Sequence, residues 1–385
     1  YLELHRGTLT SVAEIKRGNR VLEQELLALE KLAAYAGADL RAELAPVWKE
    51  FLVLQFHDIL PGSSMARVND EALEAFARLT ALVRDLQRRM MAELAGAGQG
   101  VALFNTLSWP FAGQVFVPGL ETGLAGADCQ PVEKLTGERG MAVQVRLPGE
   151  GGASFSPGPV TEKPSPFSVE GDLVVTPFAE VRFDDAGAIV SFKDRTSGRE
   201  LVAPGGVLNA LYLGEDVPAA WDNWDIDRDQ ELKLRRVGAL LRREVAAEGP
   251  LQLRIRSTYG LSDRSTLEQD VVFYADTPRV DFESVLHWHD KHQLLKVAFP
   301  LNLLADSARH EIQYGHVERP THENLFQDRA RFEVCAHRFT DLSELDFGVA
   351  LLNDCKYGVG VEENSIELTL LRAAASPEMA SDQGQ

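Results

Sequence analysis

Cysteine is scarce in this sequence. Three occur in 385 residues, Cys129, Cys335 and Cys355, with no C-x-x-C among them. Neither a disulfide framework nor a zinc ribbon is therefore expected, and a reducing cytoplasm suits the chain. Long apolar runs are missing too: none reaches the roughly 18–20 residues that a membrane-spanning helix needs. No stretch resembles a signal peptide. Basic clusters are few and the formal net charge is -19. Binding phosphate needs clustered Lys and Arg, so neither nucleic acid nor an anionic membrane is expected as a partner. There is no Walker loop, no G-x-G-x-x-G and no G-x-S-x-G, so a phosphate cradle and a serine hydrolase have no support. The chain also lacks an initial Met, opening on Tyr1-Leu2-Glu3-Leu4 like the interior of a longer protein.

What is present divides by periodicity. The length calls for two or three domains. Ser11 and Glu14 have the spacing of a capping box. Behind them Val12, Ile15, Leu22, Leu26, Leu29 and Ala33 recur at helical spacing, and Gly37 offers a stop. A second helix is expected from Pro46, a favourable first-turn residue, with Trp48, Phe51, Leu52 and Gln55-Phe56 along one side and Pro61-Gly62 as its end. A third follows Ser63-Ser64, its stripe running Val68, Ala72, Phe76, Leu79, Val83, Leu86, Met90 and Leu94. An apolar stripe at this spacing is a helix-bundle core.

Behind the linker Gly96-Ala97-Gly98-Gln99-Gly100 the period changes to that of strands. Short β-prone runs are expected at 101–105, 114–118, 141–147, 173–176, 181–183, 188–192, 251–259, 267–274, 280–287, 295–300 and 347–353. Gly, Ser and Pro between Pro148 and Pro166 suggest a surface loop or a small-domain boundary. Strands this dense, with no helices between them, indicate stacked antiparallel sheets.

Three clusters bear on chemistry. His57-Asp58 lies between two helical runs, just before Pro61-Gly62, where side chains can be held outside the helical ladder. By position alone, such a His is usually a partner for the negative end of a helix dipole. His287 and His289 would share a strand face as two metal ligands, or simply be a solvated strand end. Trp221-Asp222-Asn223-Trp224-Asp225-Ile226-Asp227 interleaves aromatics with carboxylates. That suits sugar recognition, Ca²⁺ binding or an ordinary turn.

The longest stretches carry a resemblance. Tyr1-Leu2-Glu3-Leu4-His5-Arg6-Gly7-Thr8, Trp48 through Ser64, Gly214-Glu215-Asp216-Val217-Pro218 with Trp221 to Asp225, Glu311 through His322, Arg331 through His337 and Gly348 through Gly358 occur in one order. Together they resemble glycoside hydrolase family 38, the metal-dependent α-mannosidases, of the bacterial and vacuolar/cytosolic type. The resemblance implies a multidomain α-then-β chain, a three-helix bundle followed by antiparallel β-sandwich domains of the galactose-mutarotase-like supersandwich kind. Its implied divisions are 1–10, the tail of a catalytic barrel; 11–97, the helical middle domain; 98–170, a small β domain; and 171–385, a large, C-terminally incomplete sandwich.

It also implies that His57 is one of four ligands of a catalytic zinc (or cobalt), and that Asp58 accepts a hydrogen bond from the sugar. In this family the metal holds vicinal mannose hydroxyls as template and Lewis acid, and hydrolysis is retaining, with two carboxylates about 5 Å apart. The nucleophile, the acid/base and the other metal ligands belong to the barrel that precedes Tyr1. The chain alone is therefore expected to hold no metal and to cleave no mannoside. Implied partners are mannose-containing glycans or oligosaccharides and the missing barrel, with oligomerisation left open. Two departures stand out: Asn223, where relatives commonly carry a small apolar residue, and Glu323-Asn324-Leu325-Phe326-Gln327-Asp328. Neither is expected to touch the His57 segment. The alternative reading is a noncatalytic carbohydrate-binding or scaffolding sandwich that uses 221–225. A third is an epimerase or mutarotase with His316 and Glu318 as its pair.

Overall fold

The structure is a computed structural model that describes residues 4–96, 98, 100–160 and 162–374. Residues 1–3 of the opening octapeptide, Ala97 and Gln99 of the linker, and the closing 381–385 lie outside the described residues.

Three helices come first: α1 (Ala13–Ala36), α2 (Arg41–Leu54) and α3 (Ala66–Ala95). The expected stripes make one core, in which Ile15, Leu22, Leu26 and Leu29 of α1 meet Val47 and Phe51 of α2 and Phe76, Leu79, Val83 and Met90 of α3. The chain reverses twice. Gln55 hydrogen-bonds Asn19 and Trp48 bonds Glu30, so α2 runs against α1. Arg84 pairs with Glu25, and Phe76 packs at Gly18, so α3 runs with α1. Gly37 does end α1, at φ 66° and with its amide on the carbonyls of Ala33 and Ala34.

Several local expectations fail for tertiary reasons. Ser11 caps nothing: Val12 is the N-cap residue, while the buried Ser11 hydroxyl reaches the carbonyls of Gly7 (2.9 Å) and Asn223 (3.0 Å). Pro46 lies inside α2, not at its start. Five residues precede it in the helix because Leu40 and Leu44 are buried in the bundle, which outweighs the one ladder bond a proline removes. Leu52 and Phe56 do not join the buried side; they are 59% and 53% exposed.

The remainder is antiparallel sheet among the described residues. Most expected strands are present within two or three residues of their expected ends. Further strands occur at Ala210–Glu215, Ala239–Glu248, Ser307–Ile312, Gly315–Pro320, Phe339–Ser343, Gly358–Glu362 and Ser365–Arg372. The Gly/Ser/Pro stretch also contains a strand, Gly151–Phe155, paired with Val101–Asn105. Backbone pairing there outweighs a composition typical of loops.

The largest unit is a six-stranded sheet stacked on a four-stranded one. Leu211, Leu295, Val297 and Leu368 of the first pack with Leu253, Ile255, Val271 and Phe273 of the second. The opposite face of the six-stranded sheet is polar. Register sets Tyr212 opposite Lys296 and Lys296 opposite Thr369, with Glu367 one row along. Alternation therefore puts the apolar set inward and gives this polar row to the outer face.

Candidate functional site

Residues 55–62 leave the helical ladder after α2. Amides of Phe56, Ile59, Leu60 and Gly62 bond to the carbonyls of Val53, Phe56, Phe56 and Ile59, a run of tight turns rather than continued helix. His57 thus lies beyond the last helical turn, not in it. The side chains of His57 and Asp58 are 77% and 47% exposed, with Nε2 3.5 Å from Oδ2. The Phe56 ring lies 4.3 Å from the imidazole, centroid to centroid. Leu52, Val53, Phe56 and Met65, near the pair in sequence, are exposed apolar side chains.

What holds this segment is buried and was not legible in the local pattern. Lys16 of α1 is 2% exposed. Its ammonium donates to the carbonyls of Ser11 (2.6 Å), Leu60 (3.2 Å) and Pro61 (2.9 Å). Burial, and after it the charge of Lys356, pulls Lys16 down to about 7. The Ser64 hydroxyl donates to the carbonyl of Asp58. Gly62 has φ +73°, and a Cβ there would lie 2.5 Å from the carbonyl oxygen of Ser11. Only glycine accepts both that backbone and that closeness.

The sheet region grips the same loop. Asn223 Nδ2 donates to Gly62 O at 2.7 Å, so this departure from the family pattern does touch the His57 segment, against expectation. Asn223 is in turn fastened by Arg372, whose side chain is fully buried at the end of its strand. The guanidinium pairs with Asp216 (2.7 Å) and donates to the carbonyls of Asp222 (2.7 Å), Asn223 (3.3 Å) and Asp225 (2.7 Å) and to the Ser11 hydroxyl (3.3 Å). One arginine thereby ties α1's approach, the 221–225 turn and the last strand together. A planar five-donor fork suits such a node. An arginine closing an apolar strand was an available signal; Lys16, with Asn19, Arg20 and Glu23 along its helix face, gave none.

The other clusters resolve differently. Asp222 and Asn223 are buried, Trp221 is exposed at φ +59°, and Trp224 stacks edge-on against His5 at 4.7 Å. The 221–225 run is a fastening turn, not an open aromatic platform. His287 ends its strand, while His289 lies beyond it with its amide on the Ser265 hydroxyl, so the two do not share a strand face. His316 and Glu318 lie on the edge strand Gly315–Pro320, and Glu318 is engaged by Arg309 at 2.9 Å rather than standing in a cleft.

No three His, Cys, Asp or Glu side chains come together to hold a metal ion among the described residues. His57 and Asp58 fit a metal centre only as one imidazole and one neighbouring carboxylate of a larger set. They do not compose one.

A model described as the glycosyl hydrolases family 38 C-terminal domain matches residues 174–380, and the alpha mannosidase middle domain matches 3–94. The chain belongs to glycoside hydrolase family 38. Alpha-mannosidase 2C1 of Mus musculus is 36% identical over 408 residues, covering 100% of this chain and 37% of that protein. Alpha-mannosidase G of Dictyostelium discoideum is 31% identical, over 100% of this chain and 40% of that protein. The chain thus spans well under half the length of these curated relatives. An alpha-mannosidase structure from Enterococcus faecalis V583 superposes with a TM-score of 0.75 at 14% identity, covering 96% of this chain and 52% of that one. At that identity the likeness shows the fold alone: family 38 helices followed by family 38 antiparallel sheets.

Proposed function

We propose that this chain is the helical and sheet portion of a retaining, metal-dependent α-mannosidase that removes terminal α-linked mannose from glycans or oligosaccharides. The observation that carries the proposal is the presentation of His57-Asp58 in a chain of this family. The pair stands exposed outside the helix, in a segment that also exposes apolar side chains, on a loop held by Lys16, Ser64 and Asn223. Such clamping costs backbone freedom and is expected where side-chain position matters.

In this reading His57 is one metal ligand and Asp58 accepts a hydrogen bond from a mannose hydroxyl. A preceding barrel supplies the nucleophile, the acid/base and the other ligands, and seats on the surface formed by Leu52, Val53, Phe56 and Met65. The metal, zinc or cobalt, would act as Lewis acid and template for the sugar. This chain's own part is to hold the imidazole and carboxylate in register, not to perform bond cleavage. The cytoplasm is the proposed location, as three widely spaced cysteines without a C-x-x-C suit a reducing compartment.

The test is made on the complete enzyme and on this chain in parallel. In the complete enzyme His57→Ala should lower bound metal and abolish aryl α-mannoside hydrolysis, and Asp58→Asn should raise KM and lower kcat while metal is retained. The isolated chain should show no turnover. Full metal content in His57→Ala, or turnover by the isolated chain, refutes the assignment.

A further inference from the structure

The polar face of the six-stranded sheet is roofed by residues 319–332 and by the short helix α4 (Gln230–Lys233), leaving a cavity of about 310 Å³. That is at the small end of the range for ligand pockets, roughly 300–1,000 Å³. None of residues 55–64 lines it. Two stretches that carried the resemblance, 311–322 and 331–337, meet around it, although His57 makes no use of them.

Particular acceptors in its walls lack a donor. Gln230 is 5% exposed and lines the cavity, and its side-chain carbonyl oxygen has no partner among the described residues. Glu367, half-buried on the sheet face, and Glu362, exposed at the rim, also line it, and their carboxylates make no ion pair or hydrogen bond among the described residues. Burial pushes Glu362 up from its ordinary value, and Glu323, Glu231 and Glu367 add to the shift. Lys296, at the sheet floor, already pairs with Glu333 at 2.8 Å and cannot neutralise the acceptors fully.

A buried acceptor without a donor costs about 1–3 kcal/mol, a penalty that a ligand bringing donors would relieve. An anion is disfavoured by these carboxylates. A bare cation meets the opposing charge of Lys296, Arg319 and Arg331 in the same walls. Hydroxyl groups both donate and accept, and they answer such a mixed lining without adding charge.

We propose that the cavity between the sheet face, α4 and residues 319–332 binds a small polyhydroxylated ligand, a monosaccharide or sugar alcohol, through Gln230, Glu367 and Glu362. Hydroxyls donate to these acceptors while other ring oxygens accept from the basic side chains opposite. The proposal does not rest on the mannosidase reading.

Calorimetric titration of the 385-residue chain with D-mannose, D-glucose and myo-inositol tests it. At least one probe should bind saturably in the millimolar range. Gln230→Ala and Glu367→Gln should each weaken that binding about tenfold, the expected effect of losing one hydrogen bond to a buried or charged acceptor. His57→Ala should leave it unchanged. Glu362→Gln, at the exposed rim, gives the same readout should the Glu367 variant fail to fold. Absence of saturable binding by all three probes overturns the proposal. So does binding lost in His57→Ala but kept in the cavity variants, or saturation by spermidine and by none of the sugars. Loss of metal or turnover in the complete His57→Ala enzyme leaves this outcome untouched, so the two readings fail separately.

Discussion

Replacing Arg372 by Met tests the node that fastens the sheets to the His57 loop. The substitution keeps the stem and removes the fork. It leaves Asp216, 4% exposed, without the guanidinium at 2.7 Å, and the carbonyls of Asp222 and Asp225 without their 2.7 Å donors. Removing one partner of a buried ion pair costs about 3–5 kcal/mol. That is a large share of the roughly 5–15 kcal/mol that holds a domain together. Urea denaturation should show the midpoint fall with little change in m. The double variant Arg372→Met with Asp216→Leu buries no lone charge and should recover at least about 2 kcal/mol, although the carbonyls stay short of donors.

The pH dependence has a definite sign. Burial raises the Asp216 carboxyl above its ordinary 3.8 even with Arg372 beside it, and further without it. Between the unfolded and the raised folded value the native state binds the extra proton, so stability falls as pH rises through that window. The deficit of Arg372→Met should therefore shrink on acidification towards the unfolded value. A loss under about 1 kcal/mol, or a double variant no more stable than the single, refutes the node.

Lys16 titrates in the native state at about 7 against 10.5 unfolded. Between these values the unfolded chain keeps a proton that the native chain has released, so stability should rise with pH by up to about 1.4 kcal/mol per unit. Lys16→Met should remove that slope, and identical profiles from pH 7 to 10.5 would contradict it. Gly62→Ala places a methyl 2.5 Å from the Ser11 carbonyl at φ +73° and should lower stability by about 2 kcal/mol or more in thermal unfolding; a neutral result shows the loop adapts. His57→Ala should change the stability of this chain by less than about 0.5 kcal/mol, since its side chain is 77% exposed. A loss of 2 kcal/mol or more would make His57 structural.

By itself the sequence determined the α-then-β order, the three helical stripes, most strands and the family. These rest on periodicity and long motifs, which are local. It also picked out His57-Asp58, because Pro61-Gly62 interrupts a helical pattern beside it. Tertiary structure alone decided how that pair is carried. Ser11 has the spacing of a cap, yet Arg372, 361 positions further along the chain, lies 3.3 Å away, and the hydroxyl serves that node instead. Pro46 has the preference of a first-turn residue, yet buried Leu40 and Leu44 extend the helix past it. The 221–225 run has the composition of a sugar platform, yet two of its residues are buried around one guanidinium. In each case a weak local preference, worth about 1 kcal/mol, met burial or a buried ion pair that costs several to break. Only the folded chain brings those partners together.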